Sequence, residues 1–202
     1  MNTPFFSGWL QAYLHFWSES LARLDVYLCR LQENRTRRTP MTETMGMQQV
    51  EHAGGVLVMR RVFDAPPGRL FDAWTRPEQF AQWFGPKGAS VPRCVIDPEA
   101  GGVLHFFMHV PGDIDVWCKG IFSEVTRPSR LAFRWHFSNE AGDRVERKGF
   151  PLETAVTVTF SEHAGGTELV MRQEGLLVDQ GEIQGWTEGF DRLDALLERI
   201  QD

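Results

Sequence analysis

The sequence predicts an α+β domain in which an antiparallel sheet is covered by one long C-terminal helix. Three observations carry this. From residue 54 onwards, apolar side chains recur at period two in seven runs separated by short turn sequences. The runs succeed one another with only two short helices after the first, and without the crossover helices that parallel strands require. The chain then closes on residues 181–200, GEIQGWTEGFDRLDALLERI, where Ile183, Trp186, Phe190, Leu193, Leu197 and Ile200 share one stripe of a helix.

At 202 residues the chain is long enough for one domain with a substantial core and an appendage. Its formal charge of -6 gives no global attraction to nucleic acid or to an anionic membrane, so neither partner is expected. No apolar run reaches the roughly 18 residues of a membrane span, and no signal peptide is recognisable. The three cysteines, Cys29, Cys94 and Cys118, form no CxxC pair and leave one thiol unmatched in any pairing. Free thiols in a reducing cytoplasm are the expectation.

Residues 1–34 hold an amphipathic helix, from about Thr3, with Leu10, Leu14, Trp17, Leu21, Leu24, Leu28 and Leu31 in a strict four-three repeat. This stripe suits a coiled-coil seam, and so a homodimer, or docking on the chain's own domain, or a membrane surface. Self-association or docking is favoured over lipid, and Glu19, Asp25 and Glu33 argue against a transit peptide. Residues 35–53 are polar and aperiodic and read as a linker. A translational start at Met41, Met45 or Met47 is the alternative under which the first helix has no selected function.

The domain proper is expected over residues 54–202. Val56, Val58 and Val62 alternate with Leu57, Met59 and Phe63 in a first strand that is apolar on both faces. PGRLFDAWT and PEQFAQWFG then make two short helices, each opened by proline. Strands follow at 90–97, 102–110, 114–126, 130–138, 153–162 and 166–174, joined by turns short enough for a meander. Asp179 is placed to cap the terminal helix, with Glu182 completing a capping box and Val178 and Ile183 a hydrophobic staple. Gly185 and Gly189, each costing roughly 1 kcal/mol against Ala inside a helix, imply either close packing against the sheet or a cavity beneath the helix's first half.

The block Phe63-Asp64-Ala65-Pro66, the run from Leu70 to Glu78 (LFDAWTRPE) and Gln82-Trp83-Phe84-Gly85-Pro86 resemble the opening signature of the bacterial Hsp90-ATPase-activator-homologue-like proteins, within the START/Bet v 1-like superfamily. Asp97-Pro98, Gly101-Gly102, the run from Gly120 to Val125 (GIFSEV), Gly166-Thr167-Glu168-Leu169 and Gly185-Trp186 resemble later family blocks in the right order. The resemblance covers roughly residues 54–200. It implies a helix-grip fold, a curved antiparallel sheet wrapped around the C-terminal helix with a hydrophobic cavity between them.

Alternation places Leu104, Phe106, Met108 and Val110 on one face of their strand and His105, Phe107 and His109 on the other. Leu131, Phe133, Trp135 and Phe137 form a second apolar row. Each is as readily a packed core residue as a pocket wall. Together Trp83, Phe106, Met108, Trp117, Trp135, Met171, Trp186 and Phe190 are more bulk than a small core concentrates, and with Gly185 and Gly189 they make the expected ligand site.

No catalytic, metal or cofactor site is expected. His105 and His109 lie about 13 Å apart along a strand, too far for one ion. The serines lack a nucleophile-elbow context, and Cys118 lacks an activating base. Arg60, Arg61, Gln173 and Glu174 are the polar strand residues best placed to anchor a ligand. The leading expectation is non-catalytic binding of a small hydrophobic or aromatic molecule. The alternatives are a cyclase or hydrolase using the same cavity, and a co-chaperone or other protein-interaction module.

Overall fold

The structure is a computed structural model and describes residues 48–112, 114–176 and 180–200. Apart from 112 and 114, these residues fall in one compact unit. One sheet is built from β1 (Gln49–Ala53), β2 (Val56–Phe63), β3 (Ser90–Ile96), β4 (Val103–Val110), β5 (Ile114–Thr126), β6 (Arg130–Ser138), β7 (Thr154–His163) and β8 (Gly166–Glu174). Among the described residues three helices accompany it: α1 (Pro67–Thr75), α2 (Pro77–Trp83) and α3 (Gln180–Arg199). The spatial order is β1-β2-β8-β7-β6-β5-β4-β3, a meander from β3 to β8 with the β1–β2 hairpin added beside β8. Through α1 and α2 the chain passes from that hairpin to β3 at the opposite edge. The curved sheet with α3 across it is the helix-grip arrangement that the family resemblance implies.

Strand parity decides what faces α3. Leu57, Met59, Arg61 and Phe63 are the buried row of β2, and they pair across β8 with Gln173, Met171, Leu169 and Thr167. The same inward row continues through Val156, Val158 and Phe160, then Leu131 and Phe133, then Cys118 and Phe122, then Leu104 and Phe106. From α3, Trp186, Phe190, Leu193, Leu196 and Leu197 are buried, close to the predicted stripe. Ile200, expected to share it, is exposed at 37%. Phe190 meets Phe63 edge-on at 6.0 Å, a geometry that adds roughly 0.5–1.5 kcal/mol beyond area burial.

The two short helices begin on Pro67 and Pro77, and Arg76 ends one and opens the other. Its N–H donates to Asp72 O at 2.8 Å, while its own carbonyl accepts from Gln79 and Phe80. A missing proline N–H costs nothing in a helix's first turn, so the two prolines can start helices back to back.

One expectation about extent is corrected. Residues 49–53, assigned to the linker, form β1, paired from Gln49↔Arg60 to Ala53↔Val56. Gly54 and Gly55, with φ of 60° and 77°, make the tight turn that joins the strands, a conformation that glycine adopts without a Cβ penalty. The N-terminal helix expected at 1–34, most of the linker, and the capping residues Val178 and Asp179 lie outside the described residues.

Candidate functional site

Two arginines fasten α3, Arg61 to the sheet through ion pairs and Arg192 to the turn after α2 through backbone carbonyls. Arg61, buried on the inward row of β2, donates to Asp191 and, at 2.8 Å, to Asp194. Arg192 donates to the carbonyls of Gln82, Phe84, Gly85 and Pro86 at 3.0–3.3 Å, and burial lowers its pKa from the ordinary arginine value. The Lys87 N–H donates to Glu188 at 2.8 Å, so the turn after α2 is fastened to the middle of α3. At the contact itself Gly189 lies against Gly85, where an added Cβ would sit 3.6 Å from the Gly85 carbonyl oxygen. Gly85 has φ +99°, and its own Cβ would come within 2.6 Å of Met108 Sδ. The second glycine of the helix thus lies where α3 meets the turn after α2, and an added methyl there would be in ordinary van der Waals contact.

The first glycine has different surroundings. One turn towards the N-terminus, a Cβ on Gly185 would meet nothing within 4 Å. Beside it Trp186 is the hub of an aromatic cluster, with Trp74, Phe84, Trp135 and Phe190 all between 5.7 and 6.1 Å from its ring. Its Nε1 donates to Gln173 Oε1 at 2.7 Å. Gln173 Nε2 in turn donates to Glu182 at 2.8 Å and to Thr154 at 3.3 Å. A buried amide that makes all three bonds ties the start of α3 to β8 and β7 and leaves little freedom in the Trp186 ring.

The inward row changes character at this end of the sheet. Met108, Trp135 and Phe137 face the helix side yet remain half-buried, whereas Phe106 and Phe133, two residues along, are closed. Arg147 lies over the Phe137 ring at 4.8 Å, donates to Asp115 O at 3.1 Å, and has its pKa lowered by burial. Burial pushes the Cys118 thiol up to about 12, with Arg147 and Glu182 acting on it in opposite directions. Burial thus favours the protonated thiol and disfavours the thiolate that a nucleophile requires. Around the start of α3 there is thus an aromatic wall carrying hydrogen-bonding and charged groups.

Of the predicted site residues, Trp135, Gly185 and Trp186 are at this end, while Met108 lies against Gly85. Trp83, Phe106, Met171 and Phe190 are at most 1% exposed and make up the packed core beside it; Trp83 Nε1 donates to Ala73 O at 2.8 Å. Gly189 belongs to the Gly85 contact. Trp117 is on the other face of the sheet: it sits against His105 at 4.9 Å and Phe107 at 5.0 Å, with Arg93 over its ring. Val116, Trp117 and Cys118 are consecutive apolar residues, so alternation within the triplet does not say which points inward. The buried Phe122 and the direction of Gly120, whose added Cβ would point at Leu104, set the parity, and they turn Trp117 outward.

Among the polar candidates, Gln173 alone reaches the aromatic wall. Arg60 pairs with Glu168, Glu174 with Arg172, and Arg61 serves α3. Sequence reasoning did not place Thr154, Glu182 or Arg147 in the site. Gln173 carried a signal, because it interrupts the inward apolar row Leu169, Met171; a polar residue at a buried position requires partners.

Residues 64–198 match the model of the Activator of Hsp90 ATPase homolog 1-like protein family. The chain belongs to this family. No curated protein matches it. Solved structures with the same fold include a Mycobacterium smegmatis protein, 23% identical with a TM-score of 0.64, spanning 74% of this chain and 95% of that one. A Rhodobacter sphaeroides protein has the same identity and score over 76% and 99% of the two chains. The AHSA1 protein from Silicibacter pomeroyi is 24% identical, with a TM-score of 0.58 over 71% and 97%. At these identities the likeness establishes the fold, and function in the Hsp90-activator-like family must be argued from the site.

Proposed function

We propose that this protein binds a small hydrophobic, aromatic molecule between the sheet and the first half of α3. The observation that carries the reading is the contrast between the two glycines: Gly189 is packed against Gly85, while Gly185 opens onto free space next to Trp186. Half-buried Trp135, with its ring 6.1 Å from that of Trp186, supplies an apolar wall of the kind that takes flat ligands. Nucleophilic catalysis by Cys118 has less support, since burial pushes its thiol up to about 12. A co-chaperone role rests on the family's name alone.

The test is a pair of substitutions at Gly185, followed by fluorescence titration with the apolar dye 1-anilinonaphthalene-8-sulfonate. Gly185→Ala adds helix propensity without a steric conflict and should stabilise by up to about 1 kcal/mol. Gly185→Leu should leave the protein folded and weaken the dye about tenfold, a loss of roughly 1.4 kcal/mol. If the folded parent binds neither this dye nor any retained molecule detectable by native mass spectrometry, the binding function is wrong.

A further inference from the structure

The outer face of the sheet, turned away from α3, carries an unbalanced group of cations where β5 meets β6. Lys119 and His136 are register partners on these strands, outward and half-buried between the inward pairs Cys118 and Gly120, Trp135 and Phe137. Residues directly opposite have Cβ atoms about 5 Å apart, and like charges there repel. Glu153 accepts from Arg134 at 3.1 Å and from Arg144 at 2.8 Å, so one carboxylate serves two guanidiniums. The acids of the turn after β6 are engaged elsewhere: Glu140 pairs with Arg93, and Asp143 accepts from Asn139 at 3.1 Å. Lys119 has neither an ion pair nor a hydrogen bond among the described residues. Burial lowers the His136 pKa, Arg144, Lys119 and His105 lower it further, and Glu153 opposes them. The same turn fixes the lysine. Asn139 N–H donates to Asp143 O at 2.9 Å, and Ser138 bridges to Arg144, so the chain folds back over β5. Gly142 then lies on the lysine stem: an added Cβ would be 2.9 Å from Lys119 Nζ and 3.1 Å from its Cδ. On the other side His105 Nε2 is 3.4 Å from Ser138 Oγ and from Asn139 O.

We propose that Lys119, His136 and Arg144 form a site for a phosphate group, free or as a small monoester, on the outer face of the sheet. The site is independent of the hydrophobic one beneath α3. A phosphate carries close to two charges at neutral pH and at least three acceptor oxygens, so it can meet an ammonium, a guanidinium and an imidazolium together. The one carboxylate present is already shared by two arginines and leaves Lys119 unpaired. A lysine held down by the turn also loses less freedom on binding than a free surface lysine would. The cation heads remain within reach of solvent, with the Arg144 side chain 46% exposed.

Inorganic phosphate and phenyl phosphate, each compared with sodium chloride at equal ionic strength, test the site in carbon-13 correlation spectra of the histidine rings of the full chain. Loss of one ring signal in His136→Gln assigns His136. Phosphate should move that signal saturably and raise the His136 pKa, since a nearby negative charge favours the imidazolium, and chloride should not. Lys119→Met should weaken phosphate about tenfold. Arg172→Met removes the same charge two strands away on β8 and should change the affinity less than about twofold. If Lys119→Met does not fold, Arg144→Met takes its place. Binding of both probes assigns the site to monoesters, and binding of inorganic phosphate alone assigns it to the free ion. No response to phosphate, a response matched by chloride, or equal losses in the Lys119 and Arg172 variants overturns the proposal and leaves the hydrophobic site untouched.

Discussion

Cys118 shows how a single inward residue links burial to a measurable property. Its thiol is pushed up from 9.0 to about 12, chiefly by burial. Above pH 9 the unfolded chain gives up this proton while the folded protein keeps it, so the folded state binds more protons and stability falls as pH rises from about 9 towards 12. At pH 10 the loss is about 1 kcal/mol. Cys94 shifts in the same direction, so Cys118→Ala should remove part of the alkaline slope and leave part. Urea unfolding at pH 8 and pH 10 measures it; equal slopes in parent and variant would show that the thiol is not held neutral. At this scale the sequence was informative about type and less so about direction. Cys118 was legible as a buried thiol and Gln173 as a polar strand residue. Trp117 was drawn inward by its size, although only the pairing of β5 with its neighbours orients it. Glu182 was assigned to a cap and in the fold also accepts from Gln173, a partner nine residues away in sequence that only the sheet brings close.

Among the elements, the strands and short helices were legible nearly to the residue, because alternation, proline starts and short turns are local signals. β1 was not. QVEHA has little apolar character and continues the polar composition before it, yet it needs only backbone pairing to β2 and the Gly54-Gly55 turn to form. The fastening of α3 to the turn after α2 was equally hidden, since it joins positions more than 100 residues apart. A guanidinium presents five N–H donors in a rigid fork and so can serve several carbonyls at once, which a lysine ammonium cannot match in geometry. Arg192→Ala should therefore destabilise by about 2 kcal/mol, and Arg192→Lys should recover less than about half of that. Chemical denaturation of the three proteins measures it. Full recovery by lysine would mean that charge, not the forked contact with the turn, accounts for the effect.

For the whole molecule, the shift of the first strand changes where the domain begins. We propose that residues 1–46 are dispensable for folding of the family-like domain, and that the essential chain starts at Gln48 rather than at 54. Gln48 Nε2 donates to Thr187 on α3 at 2.8 Å, and the five residues of β1 cover the edge of β2. A chain starting at Met47 keeps both features; its melting temperature should lie within about 5 °C of the parent, equivalent to roughly 1–2 kcal/mol for a protein of this size. A chain starting at Gly54 loses five backbone pairs and the link to α3, and leaves β2 as an unpaired edge open to association. It should melt more than about 5 °C lower, and light scattering should show concentration-dependent assembly. Comparing the two shortened chains separates the appendage from β1. If the Met47 chain melts as low as the Gly54 chain, then residues 1–46 contribute to the core and the boundary is misplaced. If both match the parent, β1 is ornamental, and the stability of the sheet begins at β2.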